Sequence, residues 1–173
     1  ALKLQASALA HKSDAGGVIL NLAGEASLDA AWAKLEGVAR ARGLAIEGVL
    51  VEQMAKQGIE TIVGARRDPQ WGPVMLVGLG GIWAEALSDV RILPVGLDEA
   101  EIVREIRALR GAKLLAGMRG AAAADVAALA RTVALIGAVV AARPEIAEIE
   151  INPLTVYPEG EGALALDALI VTR

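Results

Sequence analysis

One histidine stands in this chain of 173 residues, inside His11-Lys12-Ser13-Asp14-Ala15-Gly16-Gly17-Val18, with Lys3 a few positions upstream. A neutral imidazole can accept a phosphoryl group, and lysines can hold phosphate. A glycine pair lets backbone amides approach an anion. These residue types suggest phosphoryl chemistry, although an ordinary hydrogen-bonded surface histidine has the same local sequence. A second group lies near the other end. Glu150-Ile151-Asn152 puts two polar side chains at i and i+2 on one face of a strand. Asp167 interrupts the apolar run Ala163–Ile170, where a buried, unpaired carboxylate costs several kcal/mol. If Asn152 and Asp167 face each other across a hairpin, they offer hard oxygens of the kind Mg²⁺ takes together with nucleotide phosphates. The competing reading makes Asn152-Pro153 a turn initiator and Asp167 a solvent-facing edge residue.

Other segments are weaker signals. Gly16-Gly17 and Gly78-Leu79-Gly80-Gly81 could cradle phosphate or could mark close backbone packing, and neither matches the P-loop or Rossmann pattern. Glu52 ends an apolar strand, where it can offer backbone groups to a base or simply terminate the strand. Arg119-Gly120 is either an anion clamp or a solvated loop.

The elements that must position these residues follow from periodicity. Strands are expected at Ala1–Gln5, Gly17–Leu22, Glu47–Met54 (of buried type), Gly58–Ala65, Pro73–Val77 and Val90–Pro94. Helices are expected from an N-cap at Ser27 to a stop at Gly43, over Leu97–Arg110, and over Ala122–Ala142, with a short one carrying Glu85. The alanine content of Ala122–Ala142 implies close packing on a sheet. Glu145–Asn152 and Ala163–Val171 read as a hairpin around Pro158–Gly162. The class is α+β with a largely antiparallel sheet.

Composition narrows the function. Apolar residues make up 55%, yet Phe is absent, so the core is built from Ala, Val, Leu and Ile. A net charge of −4 with few aromatics argues against nucleic-acid binding. The absence of cysteine excludes disulfides, thiolate metal sites and cysteine nucleophiles, and one histidine excludes a multi-histidine zinc site within the chain. Gly72–Ala84 and Thr132–Ala142 are too short to span a bilayer. The chain reads as cytoplasmic, without a membrane partner, and as a fragment of a longer polypeptide.

Taken in order, the pieces resemble the ATP-grasp domain of NDP-forming acyl-CoA synthetases, a group similar to the β subunit of succinyl-CoA synthetase. The resemblance rests on Leu2-Lys3-Leu4, His11–Val18, Gly48-Val49-Leu50-Val51-Glu52-Gln53-Met54 and Gly58–Gly64. It continues through Asp68-Pro69-Gln70-Trp71-Gly72-Pro73, Gly78–Ile82, Gly117-Met118-Arg119-Gly120 and Glu150-Ile151-Asn152-Pro153-Leu154 with Asp167. It implies an ATP-grasp fold with an incomplete first subdomain over residues 1–53 and a second over 54–173.

The implied activity is that of an acid–CoA ligase: acid + CoA + ATP ⇌ acyl-CoA + ADP + phosphate, through a phosphohistidine. By the same resemblance Lys3 contacts nucleotide phosphates, Glu52, Gln53 and Met54 form the hinge that holds adenine, and Glu60 meets the ribose. Asn152 and Asp167 match Mg²⁺ ligands, Glu150 faces an incoming phosphohistidine, and His11 takes up the phosphoryl group. ATP/ADP and Mg²⁺ are the implied cofactors. The implied partners are CoA-binding and ligase domains, on the same chain or a separate subunit, which bring acyl-CoA and phosphate; the chain alone is expected to be inactive. A different class stays open: a regulatory ATP-grasp-like domain of a protein lysine acyltransferase, without turnover. A truncated fold that binds nothing is the third.

Overall fold

The computed structural model describes residues 1–9, 12, 15–81, 89–117 and 120–173, in two compact units, Ala1–Lys56 and Gln57–Arg173. The first unit is a three-stranded antiparallel sheet with one helix. β1 (Leu2–Gln5) lies between β2 (Val18–Ile19) and β3 (Gly48–Val51). Alternation along β1 turns Leu2 and Leu4 onto α1 (Glu25–Arg42), whose Ala31, Leu35 and Ala39 recur every four residues and form the facing stripe. Alanine at two of those three positions lets helix and sheet approach closely.

Gly43 ends α1 at φ +65, the left-handed conformation that glycine adopts without steric cost. Its start differs from the expectation. The N-cap is Gly24, and Ser27 sits inside the first turn, its Oγ donating to the Gly24 carbonyl and accepting from the Ala23 N–H. β3 is also not of buried type: Leu50 is 45% and Val51 66% exposed. An apolar run reports which residues can be buried, but β3 is an edge strand: Leu50, across from Lys3, lies on the face away from α1, and Val51, across from Leu2, is the last residue of the strand.

The second unit is a six-stranded sheet in the order β6-β5-β4-β7-β8, with β9 also paired to β7, antiparallel throughout. Its strands are β4 (Ile59–Asp68), β5 (Gly72–Leu79), β6 (Val90–Pro94), β7 (Ile146–Val156), β8 (Ala163–Ala165) and β9 (Ala168–Thr172). Val63, Ala65, Met75, Val77 and Leu79 face α2 (Glu99–Arg107) and α4 (Val126–Ala142), which contribute Ile102, Ile106, Leu129, Val133 and Val140 to the core. A single helical turn, α3 (Ala112–Leu115), closes this layer. The close packing expected of the alanine-rich helix is present: Ala128, Ala130 and Gly137 are buried, and a Cβ on Gly137 would run into Met75.

Both helices start later than their apolar pattern suggests, because an aspartate sets each boundary. Asp98 caps α2 in a reciprocal box with Glu101, with bonds of 2.7 and 3.0 Å. Asp125 caps α4, accepting from the Ala128 N–H at 2.8 Å. Arg67 ties the other end of α4 down by donating to the Val140 and Ala141 carbonyls and to Ile146 at the start of β7. The expected return strand Ala163–Val171 is in fact two strands, β8 and β9, broken at Leu166–Asp167.

Candidate functional site

Because side chains alternate, one face of the larger sheet carries the helices. The other face presents Ile62, Gly64 and Arg66 of β4, Val74 and Leu76 of β5, Ile92 of β6, and Glu148 and Glu150 of β7. These residues line a cavity of about 170 Å³ on that face. Glu150 stands directly across from Gly64 on one side and Leu169 on the other.

Two residues further along β7 the ladder becomes irregular. Val63 pairs with Ile151 but Thr61 pairs with Leu154, so β7 uses one more residue than β4 in this stretch, at Asn152-Pro153. The Thr61 hydroxyl donates to the Leu154 carbonyl at 2.9 Å just past the bulge. On the other side the return strand breaks at the same level. The Asn152 N–H donates to the Asp167 carbonyl at 3.1 Å, and the Leu166 N–H donates to Pro153 at 3.0 Å. Asn152 and Asp167 are therefore opposite one another. The Asn152 amide donates to Glu150 Oε1 at 3.3 Å, which places it on the Glu150 side of the strand. Asp167 Oδ1 accepts from the Ala168 N–H at 3.1 Å.

Glu150 and Asn152 are thus joined by a side-chain hydrogen bond, and Asp167 stands across the ladder from Asn152. Asn152 is exposed, while Glu150 and Asp167 are half-buried. Among the described residues no group of three or more His, Cys, Asp or Glu side chains is arranged to hold a metal. The donor set here is hard oxygen from an Asn–Asp pair, which suits an ion that completes its shell with water and phosphate rather than one needing an all-protein cage.

Glu60 lies two residues from Ile62 on β4, exposed, and its carbonyl accepts from the Gly80 N–H at 2.8 Å. This contact accounts for Gly80, and close packing also accounts for Gly78. A Cβ on Gly80 would stand 3.1 Å from the Glu60–Thr61 backbone, and one on Gly78 would meet the Asp89 carbonyl at 2.7 Å. Gly17 is also taken up by packing, its N–H on the Lys12 carbonyl and its carbonyl on the Leu4 N–H, both at 2.8 Å. At Gly17, Gly78 and Gly80 close backbone approach explains the glycine.

In the smaller unit, Lys3 is buried, with its ammonium 2.5 Å from Glu52 Oε2. The Glu52 N–H donates to the Ala1 carbonyl at 3.0 Å, and its own carbonyl accepts from the Ala1 amino group at 2.7 Å. Gln53 and Met54, beyond the end of β3, are exposed. His11, Glu85 and Arg119 lie outside the described residues.

Two acidic groups escaped the sequence reading. Asp125 is buried, and besides capping α4 its Oδ2 accepts from Gly160 and Gly162 at 3.1 and 3.2 Å. The Ala128 N–H bond, ahead of the opposing cost of burial, holds its carboxyl below the usual aspartate range. Asp89, also buried, accepts from the Arg110 and Gly111 N–H groups at 3.0 and 2.8 Å. An aspartate immediately before an apolar helical run was the available signal for Asp125; nothing local marks Asp89.

An ATP-grasp domain model matches residues 1–172. A trans-feruloyl-CoA synthase of an unknown prokaryotic organism is 51% identical over 174 residues, covering 99% of this chain and 25% of that protein. The β subunit of acetate–CoA ligase (ADP-forming) I from Pyrococcus furiosus is 38% identical over 175 residues, covering 98% of this chain and 73% of that subunit. The dinucleotide-forming acetyl-coenzyme A synthetase 1 of Ca. Korarchaeum cryptofilum, solved with coenzyme A and Ca-AMPCP, superposes with a TM-score of 0.92 at 35% identity. That match covers 99% of this chain and 75% of the solved one. The chain therefore spans about a quarter of the first relative and about three quarters of the second.

Proposed function

This chain belongs to the ATP-grasp family, and on that premise we propose that it is the nucleotide-binding, phosphoryl-transferring part of an ADP-forming acid–CoA ligase. Residues 1–53 belong to the first subdomain and 54–173 to the second. The protein works in the cytoplasm with CoA-binding and ligase domains that carry the acyl site. The observation that carries the reading is the paired irregularity of β7 and the return strand, which sets Asn152 against Asp167 with Glu150 beside them on the open sheet face.

The donor chemistry of this group fits Mg²⁺, with Asn152 and Asp167 as its protein ligands. When bound, Mg²⁺ neutralises charge on the nucleotide phosphates. Lys3 holds a phosphate oxygen, the backbone of Glu52, Gln53 and Met54 holds the base, and Glu60 accepts from the ribose. Glu150 receives the phosphorylated histidine segment, and its carboxylate accepts a hydrogen bond from the imidazole and so orients the ring. His11 takes the phosphoryl group from the acyl side and passes it on. Such a site needs no serine or cysteine nucleophile, because phosphoryl transfer depends on in-line placement and charge neutralisation.

The test is formation of ATP from acyl-CoA, ADP and phosphate by the intact enzyme, across a panel of acyl groups that includes acetyl and feruloyl. Activity with none of them overturns the reading. His11→Ala should abolish phosphoryl delivery and leave nucleotide affinity unchanged; loss of both makes His11 a structural residue.

A further inference from the structure

Lys3 is not an open cation waiting for phosphate. It projects from β1 between the fully buried Leu2 and Leu4, with only 10% of its side chain exposed, and Glu52 meets it at 2.5 Å. Both backbones are held on either side of the pair. Leu2 pairs with Val51 and Lys3 with Leu50, and the ladder closes through the Glu52 N–H on Ala1. The Glu52 side chain is 37% exposed, so the pair differs from Arg143–Glu145 and Arg104–Glu101, whose side chains are 40% to 68% exposed, in its buried cation.

We infer that the Glu52 side chain is a resident counter-charge that occupies Lys3 in place of a phosphate oxygen and weakens nucleotide binding in proportion to phosphate charge. The inference rests on the reading above that Lys3 takes a nucleotide phosphate. A phosphate oxygen within hydrogen-bond reach of the Lys3 ammonium must share it with the Glu52 carboxylate and then lie near that like charge. Glu52 therefore offsets part of the attraction that Lys3 supplies. In a reversible reaction this has a use, since a nucleotide held too tightly leaves slowly and gains no rate in the chemical step. Glu52 acts through Lys3 and is a positioning residue.

The experiment is calorimetric titration of the intact ligase and its Glu52→Gln variant with adenosine, AMP, ADP and ATP in the presence of Mg²⁺. The expected result is a graded gain: adenosine unchanged, AMP slightly tighter, ADP tighter still and ATP most of all, by about tenfold, the size of one partly screened charge pair. Glu52→Asp, which keeps the charge, should restore the native order. An equal change for all four ligands, no change, or weaker ADP binding overturns the inference.

Should Glu52→Gln not fold, Lys3→Met and Lys3→Met/Glu52→Met carry the test, since neither leaves an ammonium in the buried Lys3 position. The double variant must bind ADP more tightly than the single one, and equal or weaker binding overturns the counter-charge. If Lys3→Met alone leaves ADP affinity at the native level, the phosphate-ligand reading of Lys3 fails, and the inference with it. If Lys3→Met weakens ADP but the Glu52 variants show no charge grading, only the counter-charge fails.

Discussion

Asp125 and Asp167 are both aspartates at the boundary of an element in the larger unit, and their surroundings differ. Asp125 is buried, with one oxygen on the first turn of α4 and the other shared by two N–H groups of the Pro158–Gly162 loop. Asp167 is half-exposed in a break between two strands, accepting from the N–H of its own neighbour and standing across from Asn152. A carboxylate surrounded by backbone donors from distant segments acts as a fastener, since removing it leaves those donors unpaired. A carboxylate at an irregular stretch of sheet, half-exposed rather than enclosed by distant backbone donors, stands where a cation can approach it.

Substitutions can break that contrast. Asp167→Ala in the intact enzyme should lower Mg-nucleotide affinity about 100-fold, the scale at which metal-site residues act, with almost no change in melting temperature. Native affinity, measured by calorimetry, would remove Asp167 from the metal site. Asp125→Ala should do the reverse: a stability loss of about 2–3 kcal/mol from the cap and the loop bonds, with nucleotide affinity retained in the folded fraction. Denaturant unfolding read beside the titration checks both halves.

The same contrast predicts acid behaviour. Asp125 is held below its ordinary value of 3.8, so it binds fewer protons folded than unfolded. Its contribution is full above about pH 4 and is lost as pH falls through the lower native value. Asp125→Ala should flatten the acid limb of the stability curve. The slope that remains comes from Asp68, lowered by the Gln70 and Trp71 N–H groups, and from Glu47, lowered by Ser7. An unchanged acid limb would mean that Asp125 is not a fastener.

Gly78→Ala tests the glycine run as packing. Its Cβ would meet backbone and side-chain atoms of Asp89 and Val90 at 2.7 Å, so a loss of about 1–3 kcal/mol is expected, without the charge-graded affinity change that loss of a phosphate cradle would bring. The smallest effect is expected for Ser27→Ala, about 0.5 kcal/mol, because Gly24 rather than Ser27 is the cap of α1. A loss near 2 kcal/mol would return the capping role to Ser27.

Much of the fold was legible where period and length agree. The strands expected at Gly58–Ala65 and Pro73–Val77, which run in the structure over Ile59–Asp68 and Gly72–Leu79, and the alanine-rich helix follow from local pattern. Boundaries set by one side chain were less legible, since Ser27 and Gly24 both fit a cap while only one takes its geometry. The exposure of Leu50 and Val51 was not legible either, since apolar character does not say which strand lies at a sheet edge or which of its faces a helix covers. At the site, residue types named Glu150, Asn152 and Asp167, but the double irregularity that sets Asn152 against Asp167 depends on register with β4 as well as the return strand.

The sequence by itself determined the chemistry available to this protein: one histidine, no thiol, hard oxygen donors near the end of the chain, lysine and glycine near the start, and the order that marks the ATP-grasp family. Tertiary structure alone decided how those groups are used. It gave three glycines that look like phosphate cradles to backbone packing, Asp125 to a loop bond 35 residues away, and Lys3 to a carboxylate just past the end of the neighbouring strand. The reason is that hydrogen bonding and charge compensation are settled by distance in space, and a strand register can bring together residues whose separation along the chain carries no signal of the pairing.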